Sequence, residues 1–267
     1  PGAVLSELIA CGKVPKVCLD KVFRQNEGSR IAENAKTIRH GQTRLDYGDD
    51  FQLWNSPDIQ QSARCLEELY VQEVQRYGID NVVLLTPFRK KTDTGVQALN
   101  QRLQARLNPP GPEKPELTLG KRVFRLGDKV MQIRNRDEVS NGDIGYVRKI
   151  TLDEDGWSVE VDFGDKRTVC YCDADSIGQL DLAYAQTIHK SQGSEYASVL
   201  ISIQQAHGRM LKRPLLYTAV TRAKRRVAIV GDPAAIELAI RTTDTEKRGT
   251  RLALRIAEKE TETKRRN

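Results

Sequence analysis

Four short stretches of this 267-residue sequence hold the side chains that could act on a polyanion. Thr86 and Pro87 end an apolar run that is typical of a strand buried on both faces. Thr187 and His189 stand just after another strand-like run. Because ligands of open α/β sheets gather at the carboxyl ends of strands, these hydroxyl and imidazole groups could contact the backbone of a nucleic-acid strand.

The motifs of a self-sufficient hydrolase are missing from the sequence. It has no Gly-x-x-x-x-Gly-Lys-Ser/Thr loop and no nucleophile elbow, so nothing in it can cradle nucleotide phosphates on backbone amides beside a lysine. The five cysteines form no Cys-x-x-Cys pair and the three histidines are scattered, so we expect no metal site. An odd cysteine count without a disulfide framework suits a reducing cytoplasm, where we expect the protein to reside.

The four stretches, in their order along the chain, carry a family resemblance. Residues 22–25 (VFRQ), 84–89 (LLTPFR), 185–196 (AQTIHKSQGSEY) and 216–224 (LYTAVTRAK) resemble the later motifs of superfamily 1 helicases, and the RecD-like branch in particular. The last two are specific, since an unrelated chain would rarely show both so close together with a strand between them.

The resemblance covers nearly the whole chain and implies the C-terminal half of a DNA helicase motor. Such motors bind ATP and Mg²⁺ between two RecA-like domains, and the first of these supplies the phosphate loop and the Mg²⁺ ligands. The sequence starts at Pro1 rather than Met, so we expect this first motor domain to lie upstream in the same polypeptide. The resemblance further implies movement from 5′ to 3′ along single-stranded DNA. By itself the chain should neither hydrolyse ATP nor unwind DNA.

The resemblance also assigns residues to the nucleotide. Arg222 resembles an arginine finger, because a planar guanidinium can meet two γ-phosphate oxygens at once, which an ammonium group cannot do. Arg24 resembles the second γ-phosphate arginine of the family, and we treat both arginines as catalytic. Gln25, Gly193 and Glu195 are assigned to ATP binding.

The same resemblance assigns Thr86, Pro87, Thr187, His189 and Lys190 to single-stranded DNA. Two alternatives stay open at this point. Asn100 could touch DNA or hold the loop beside it. In the following β-rich segment, the cations could line a positive groove that has an aromatic stacking surface. The more ordinary interpretation is that the cations lie on solvated strand faces and the aromatic rings lie in the core. The residues concerned are Lys129, Arg134, Arg136, Arg148, Lys149, Tyr146 and Trp157.

Hydrophobic periodicity predicts the elements that position these residues. Apolar spacing predicts helices over 31–38, from Ser56 as N-cap to Gly78, and over 96–107, with a buried strand at 82–85 between the last two. Residues 42–56 read as a polar surface excursion. After residue 180 we predict strands at 199–203 and 227–230, a helix over 214–223 and a helix that starts at Asp232 and Pro233.

Between these two α/β portions the pattern changes. Residues 122–177 hold five short alternating segments separated by turn dipeptides such as Asn141-Gly142, which predicts antiparallel hairpins. The predicted fold is therefore α/β, a RecA-like second motor domain of the P-loop NTPase type, with an inserted small antiparallel Src-homology-3-like barrel. We divide it into 1–115 and 181–245 for the motor domain, 116–180 for the barrel, and 246–267 for a C-terminal helix and basic tail.

Composition sets outer limits on this interpretation. Lys and Arg exceed Asp and Glu by 43 to 36, a formal charge of +7, which favours a polyanionic partner. No apolar run approaches the roughly 18 residues of a membrane span, and no signal peptide is visible, so we expect no membrane contact.

Expected partners are single-stranded DNA, the first motor domain and other exonuclease subunits. The alternatives are a non-enzymatic nucleic-acid or adaptor module and a part of a conjugation relaxase-helicase.

Overall fold

The computed structural model describes residues 28–90, 92–136, 138–154 and 156–243, together with positions 4, 7–9, 11, 12, 14–17 and 255. The chain divides into two units, one formed by Gln25–Thr243 and the other by Pro1–Arg24 with Asp244–Asn267. Within the described residues, no helix is long and apolar enough to cross a membrane.

A five-stranded parallel sheet with the strand order β1-β12-β11-β2-β10 forms the centre of the unit. Its strands are β1 (Phe51–Asn55), β2 (Val82–Thr86), β10 (Ala185–Thr187), β11 (Tyr196–Ile203) and β12 (Ala223–Gly231). The middle strands are buried on both faces, as their continuous apolar runs predict.

Helices cover both faces of this sheet. α2 (Ile59–Tyr77) and α3 (Val96–Leu107) pack on one face, and α1 (Arg30–Arg39), α5 (Arg213–Val220) and α6 (Pro233–Arg241) pack on the other. The helix caps follow from the sequence: Asp232 accepts a hydrogen bond from the backbone N–H of Ala234 at the start of α6, and α2 ends at Gly78 with a φ of 81°.

Residues 116–182 form antiparallel structure between β2 and β10 in the chain. β3 (Glu116–Leu119) pairs with β4 (Arg122–Arg125) as a separate hairpin. The next five strands are β5 (Lys129–Gln132), β6 (Ile144–Asp153), β7 (Gly156–Asp162), β8 (Thr168–Tyr171) and β9 (Leu180–Leu182). They form one sheet with the order β8-β7-β6-β5-β9. The short helix α4 (Ala174–Ile177) lies between β8 and β9 in the chain. The predicted α/β fold with a small antiparallel insertion is confirmed.

Buried polar groups fasten the insertion to the parallel sheet and its helices. The carboxylate of Asp128 accepts hydrogen bonds from Gln104 on α3 (2.6 Å), from Asn108 (2.7 Å) and from the hydroxyl of Tyr184 (2.9 Å). Burial raises the pKa of Asp128, and these donors act against that rise. The ammonium group of Lys129 donates to the carbonyl of Ile79, 2.7 Å away, so Lys129 is buried and neither lines a positive groove nor lies on a solvated strand face.

Three local predictions are also wrong. The stretch 42–56 contains β1, an edge strand of which only Phe51 is buried, and polar neighbours hide so short a strand in the sequence. Asp58 rather than Ser56 caps α2, because the Ser56 side chain is buried and its hydroxyl accepts from Ser62. The helix predicted over 214–223 ends at Val220, and Ala223 already begins β12.

Candidate functional site

Arg222 lies in the turn between α5 and β12, directly before the first residue of that strand. Its guanidinium donates from Nε to the carbonyl of Thr218 (3.1 Å), from Nη1 to the carbonyl of Ser194 (3.2 Å) and from Nη2 to the hydroxyl of Thr221 (3.2 Å). The residue is only 9% exposed. The carbonyls at the end of α5 and in the loop before β11 therefore fix the plane of the guanidinium.

Glu195 lies in that loop, on the segment that enters β11. Its carboxylate is 2.9 Å from the ammonium group of Lys224, and its side chain is 28% exposed. The backbone N–H of Tyr196 donates to the carbonyl of Arg222 (2.9 Å), which ties the two segments together. Burial is the main cause of the raised pKa of Tyr196, and the charge of Arg222 acts in the opposite direction. The structure thus places Arg222 and Glu195 side by side at the amino ends of two parallel strands.

Gly193 gives the loop its shape. Its φ is +91°, in the left-handed region that favours glycine, and a Cβ atom built there would meet nothing within 4 Å. The position is exposed, so a ligand could approach the backbone closely there. The other two residues assigned to the nucleotide, Arg24 and Gln25, lie outside the described residues.

The residues assigned to DNA lie at the opposite ends of the strands. Thr86 is the last residue of β2, and it pairs in register with Thr187, the last residue of β10. Thr86 and Pro87 are buried, and the Thr86 hydroxyl has no hydrogen-bond partner among the described residues. Their side chains are therefore not accessible to DNA, in contrast to what the motif implied, and Thr187 is only partly exposed.

His189 and Lys190, in the turn after β10, are exposed. The ammonium group of Lys190 lies 3.6 Å from the sulfur of Met131 on β5. Partial burial lowers the pKa of Lys190, the charge of Asp181 opposes that change, and the charge of Arg89 adds to it. Together with the partly exposed Thr187, these two residues are the accessible part of the predicted DNA-binding set.

Asn100 is buried on α3 and holds the chain between β9 and β10. Its side-chain amide donates to the carbonyls of Leu182 (2.8 Å) and Ala185 (3.1 Å), and its oxygen accepts from the N–H of Ala185 (2.7 Å). Of the two alternatives left open for Asn100, the structure supports the one in which it holds the backbone.

Sequence patterns did not indicate a pocket of about 330 Å³ beside these residues. It lies between the first turn of α3, the loop after β2, the β3–β4 turn and β9. Asp181 forms ion pairs there with Arg89 and, at 3.1 Å, with Arg122. Arg89 was visible in the second motif, but Arg122 and Asp181 come from segments far from it in the sequence, which no local pattern can bring together.

Several of the remaining cations and aromatic rings of the insertion have partners within the protein. Arg148 pairs with Asp162 at 3.2 Å, and Arg136 stacks over the ring of Tyr171. The hydroxyl of Tyr146 donates to Asp80, whereas Trp157, in the β6–β7 hairpin, is 37% exposed. Arg134 and Lys149 are exposed.

Two family models match parts of the chain. Residues 99–163, from α3 to just past β7, match the SH3 domain of ATP-dependent RecD-like DNA helicases. Residues 182–230, which include the loop of Glu195 and the turn of Arg222, match the UvrD-like helicase C-terminal domain. A RecA-like sheet with this insertion and these motifs defines the second motor domain of a superfamily 1 helicase.

Similar proteins narrow the class. The ATP-dependent RecD2 DNA helicase of Deinococcus radiodurans is 35% identical over 249 residues, which are 91% of this chain and 32% of that protein. The RecBCD enzyme subunit RecD of Mycobacterium tuberculosis is 45% identical over 78 residues, which are 29% of this chain and 14% of the subunit. The chain belongs to the RecD-like family of helicases, and it spans about a third or less of the length of these two relatives.

Among solved structures, the Pif1 helicase from Bacteroides in complex with ADP-AlF3 and ssDNA matches with a TM-score of 0.48 and 20% identity. The match covers 92% of this chain and 57% of that one.

Proposed function

We propose that this chain is the second motor half of an ATP-dependent DNA helicase that moves from 5′ to 3′ along single-stranded DNA. The observation that carries the proposal is the pairing of Arg222 with the Glu195 loop at the amino ends of β11 and β12. A guanidinium whose plane is fixed by neighbouring carbonyls, beside a carboxylate and an open glycine turn, suits the edge of a nucleotide site.

The chemistry of this group of residues fits a phosphate chain that is held mainly by another domain. Arg222 and Lys224 supply two cations, and Glu195 lies 2.9 Å from Lys224, so its carboxylate can orient that ammonium group or accept a hydrogen bond from a ribose hydroxyl. The backbone at Gly193 leaves room for close approach. In the complete enzyme, ATP and Mg²⁺ would be bound chiefly by the first motor domain, and Mg²⁺ would neutralise phosphate charge there.

In this proposal, closure of the two domains carries Arg222 to the γ-phosphate. The guanidinium would then stabilise the charge that develops on the transferred group, a contribution worth about 10³ to 10⁵ in rate for arginine fingers. Arg24 and Gln25 are proposed to act at the same phosphate, as the family motif implies.

DNA is proposed to pass over the carboxyl ends of β2 and β10. His189 and Lys190 are exposed there and Thr187 is partly exposed, so these three residues would meet the strand directly. Thr86 and Pro87, which are buried, would shape the floor beneath it instead. The proposed nucleotide residues lie at the amino ends of the strands and the proposed DNA residues at the carboxyl ends. Closure of the two domains around ATP would therefore change how this domain contacts DNA at the opposite end of the sheet.

The domain limits follow the same proposal. Residues 1–115 and 181–245 would form the motor domain, 116–180 the barrel, and 246–267 a C-terminal helix and basic tail. The first motor domain in the same polypeptide is the proposed partner within the chain, and other exonuclease subunits are proposed partners outside it. We propose that the protein works in the cytoplasm.

The test compares ATP hydrolysis by this chain alone with hydrolysis by the chain joined to a Walker-bearing first motor domain, each with and without single-stranded DNA. We expect none from the chain alone, since its sequence has no phosphate-binding loop. The joined protein should hydrolyse ATP, and DNA should stimulate it. A joined protein that folds and binds DNA but never hydrolyses ATP would favour the adaptor alternative over the motor.

A further inference from the structure

A basic pocket lies where the insertion meets the α/β core, and we call it the junction pocket. It has a volume of about 330 Å³ and is formed by the loop after β2, the first turn of α3, the β3–β4 turn and β9. It shares Arg89, Val96, Asp181 and Leu182 with a narrower cleft that reaches Thr187 and Lys190. The pocket is therefore continuous with the surface proposed for DNA.

The charge of the pocket favours an anion. Four cationic side chains line it, against two carboxylates. One carboxylate, Asp181, is shared by Arg89 and Arg122. Lys90 and Lys121 are exposed, and within the described part of the chain neither ammonium group makes an ion pair. Two cations at the rim are thus available to a phosphate.

Two backbone hydrogen bonds hold described residues of the loop after β2 next to the start of α3. The backbone N–H of Gln97 donates to the carbonyl of Arg89 (3.1 Å), and the N–H of Gly95 donates to the carbonyl of Thr92 (2.8 Å). A Cβ atom at Gly95 would lie 2.9 Å from that carbonyl oxygen, so a side chain there would force the turn apart.

The interior of the pocket differs from its rim. Val96, Val123 and Leu182 supply apolar surface, and Gln97 and Gln101 supply hydrogen-bonding groups. A volume of this size is at the lower end of the roughly 300–1,000 Å³ of small-molecule sites, which suits one nucleotide rather than a larger ligand. Bases stack well on planar guanidinium groups such as those of Arg89 and Arg122.

We propose that the junction pocket binds one nucleotide unit of the single strand, with its phosphate at Lys90 and Lys121 and its base against the arginines and the apolar interior. The inference rests on the proposed function, since it assumes that this surface meets DNA. It goes further in giving the insertion a direct DNA contact, because Lys121 and Arg122 belong to the β3–β4 hairpin. Asp181 would limit the affinity by neutralising part of the charge of the arginines.

The experiment uses the full chain and fluorescence anisotropy of a labelled oligo(dT) over a series of salt concentrations. The variants are the double substitution Lys90→Gln with Lys121→Gln, and Asp181→Asn. The control is Lys166→Gln, which neutralises an exposed lysine in the β7–β8 turn. Thermal unfolding of each variant checks that the fold is retained.

Each phosphate contact on a single strand contributes about 0.7 to the slope of log K against log salt concentration. The double variant removes the contact with one phosphate and should therefore lower the slope by about 0.7, which at about 0.1 M salt corresponds to roughly fivefold weaker binding. Asp181→Asn should bind more tightly and more steeply with salt, and Lys166→Gln should match the wild type.

Three results would overturn the proposal. Unchanged binding by the double variant, or an equal loss in the Lys166→Gln control, would remove the pocket and leave the proposed motor function standing. Absence of oligo(dT) binding by the wild type would also remove it, while the ATPase test above decides the motor function separately.

Discussion

Lys129 offers a direct test of how the insertion is joined to the parallel sheet. Its side chain is 2% exposed, and its ammonium group lies 2.7 Å from the carbonyl of Ile79 and 3.8 Å from Asp80. Burial lowers its pKa from 10.5 to about 8, and the charge of Asp80 opposes that change. Between these two values the unfolded chain binds more protons than the folded protein, so the free energy of unfolding should rise with pH. At about 1.4 kcal/mol for each pKa unit, the whole rise is about 3 kcal/mol.

Urea unfolding of the wild type and of Lys129→Met, from about pH 7 to about pH 10, measures this contribution. Methionine keeps an unbranched apolar stem but does not titrate, and the other titrating groups are the same in both proteins. The free energy of unfolding of the wild type minus that of the variant should increase by about 2.5 kcal/mol over this pH range, since part of the whole rise lies above pH 10. A difference that stays constant with pH, or decreases, would refute the burial of a charged lysine at this junction.

Three further predictions concern single side chains. Asp128→Ala leaves buried donors of α3 and its neighbours without an acceptor, so urea unfolding should show a loss of about 3–5 kcal/mol in the free energy of unfolding. A loss below about 1 kcal/mol would contradict the role of Asp128 in joining the insertion to α3. Asn100→Ala removes three hydrogen bonds to the chain before β10 and should cost about 2–4 kcal/mol in the same assay, and a neutral effect would contradict its role. In the complete motor, Thr221→Val should lower kcat for ATP about tenfold with little change in KM, because the hydroxyl that orients Arg222 is lost. Thr221→Ser keeps a hydroxyl and should retain the wild-type kcat. Equal rates in the wild type and both variants would remove Thr221 from the site.

The sequence alone predicted those helices and strands whose buried residues form a clear local pattern. β2 was predictable because a strand buried on both faces leaves a continuous apolar run, and α3 because Leu99 and Leu103 repeat at helical spacing. β1 was not, since an edge strand with a single buried residue leaves almost no pattern. Lys129 was misplaced because a lysine in an alternating strand is ordinarily solvated, and its burial depends on a loop 50 residues away.

The candidate site divides in the same way. The motifs indicated Arg222 and Glu195 by residue type, and the structure brings these two together although 26 residues separate them in the sequence. Thr86 was assigned to a strand end correctly, but its burial depends on neighbouring strands and helices that a local pattern does not describe. The junction pocket was beyond sequence reasoning, because the β3–β4 turn and β9 meet the loop after β2 and the start of α3 only in the folded protein.

DNA-stimulated ATP hydrolysis in the complete motor shows whether Arg222 completes an ATP site that another domain mainly supplies. The proteins to compare are the wild type, Arg222→Ala, Arg222→Lys and the matched control Arg225→Ala, whose arginine is exposed three residues further along the chain. We predict a loss in kcat of about 10³-fold or more for Arg222→Ala, little rescue by lysine, and wild-type turnover in the control. Hydrolysis by Arg222→Ala at the wild-type rate, with DNA binding intact, would contradict this role of Arg222.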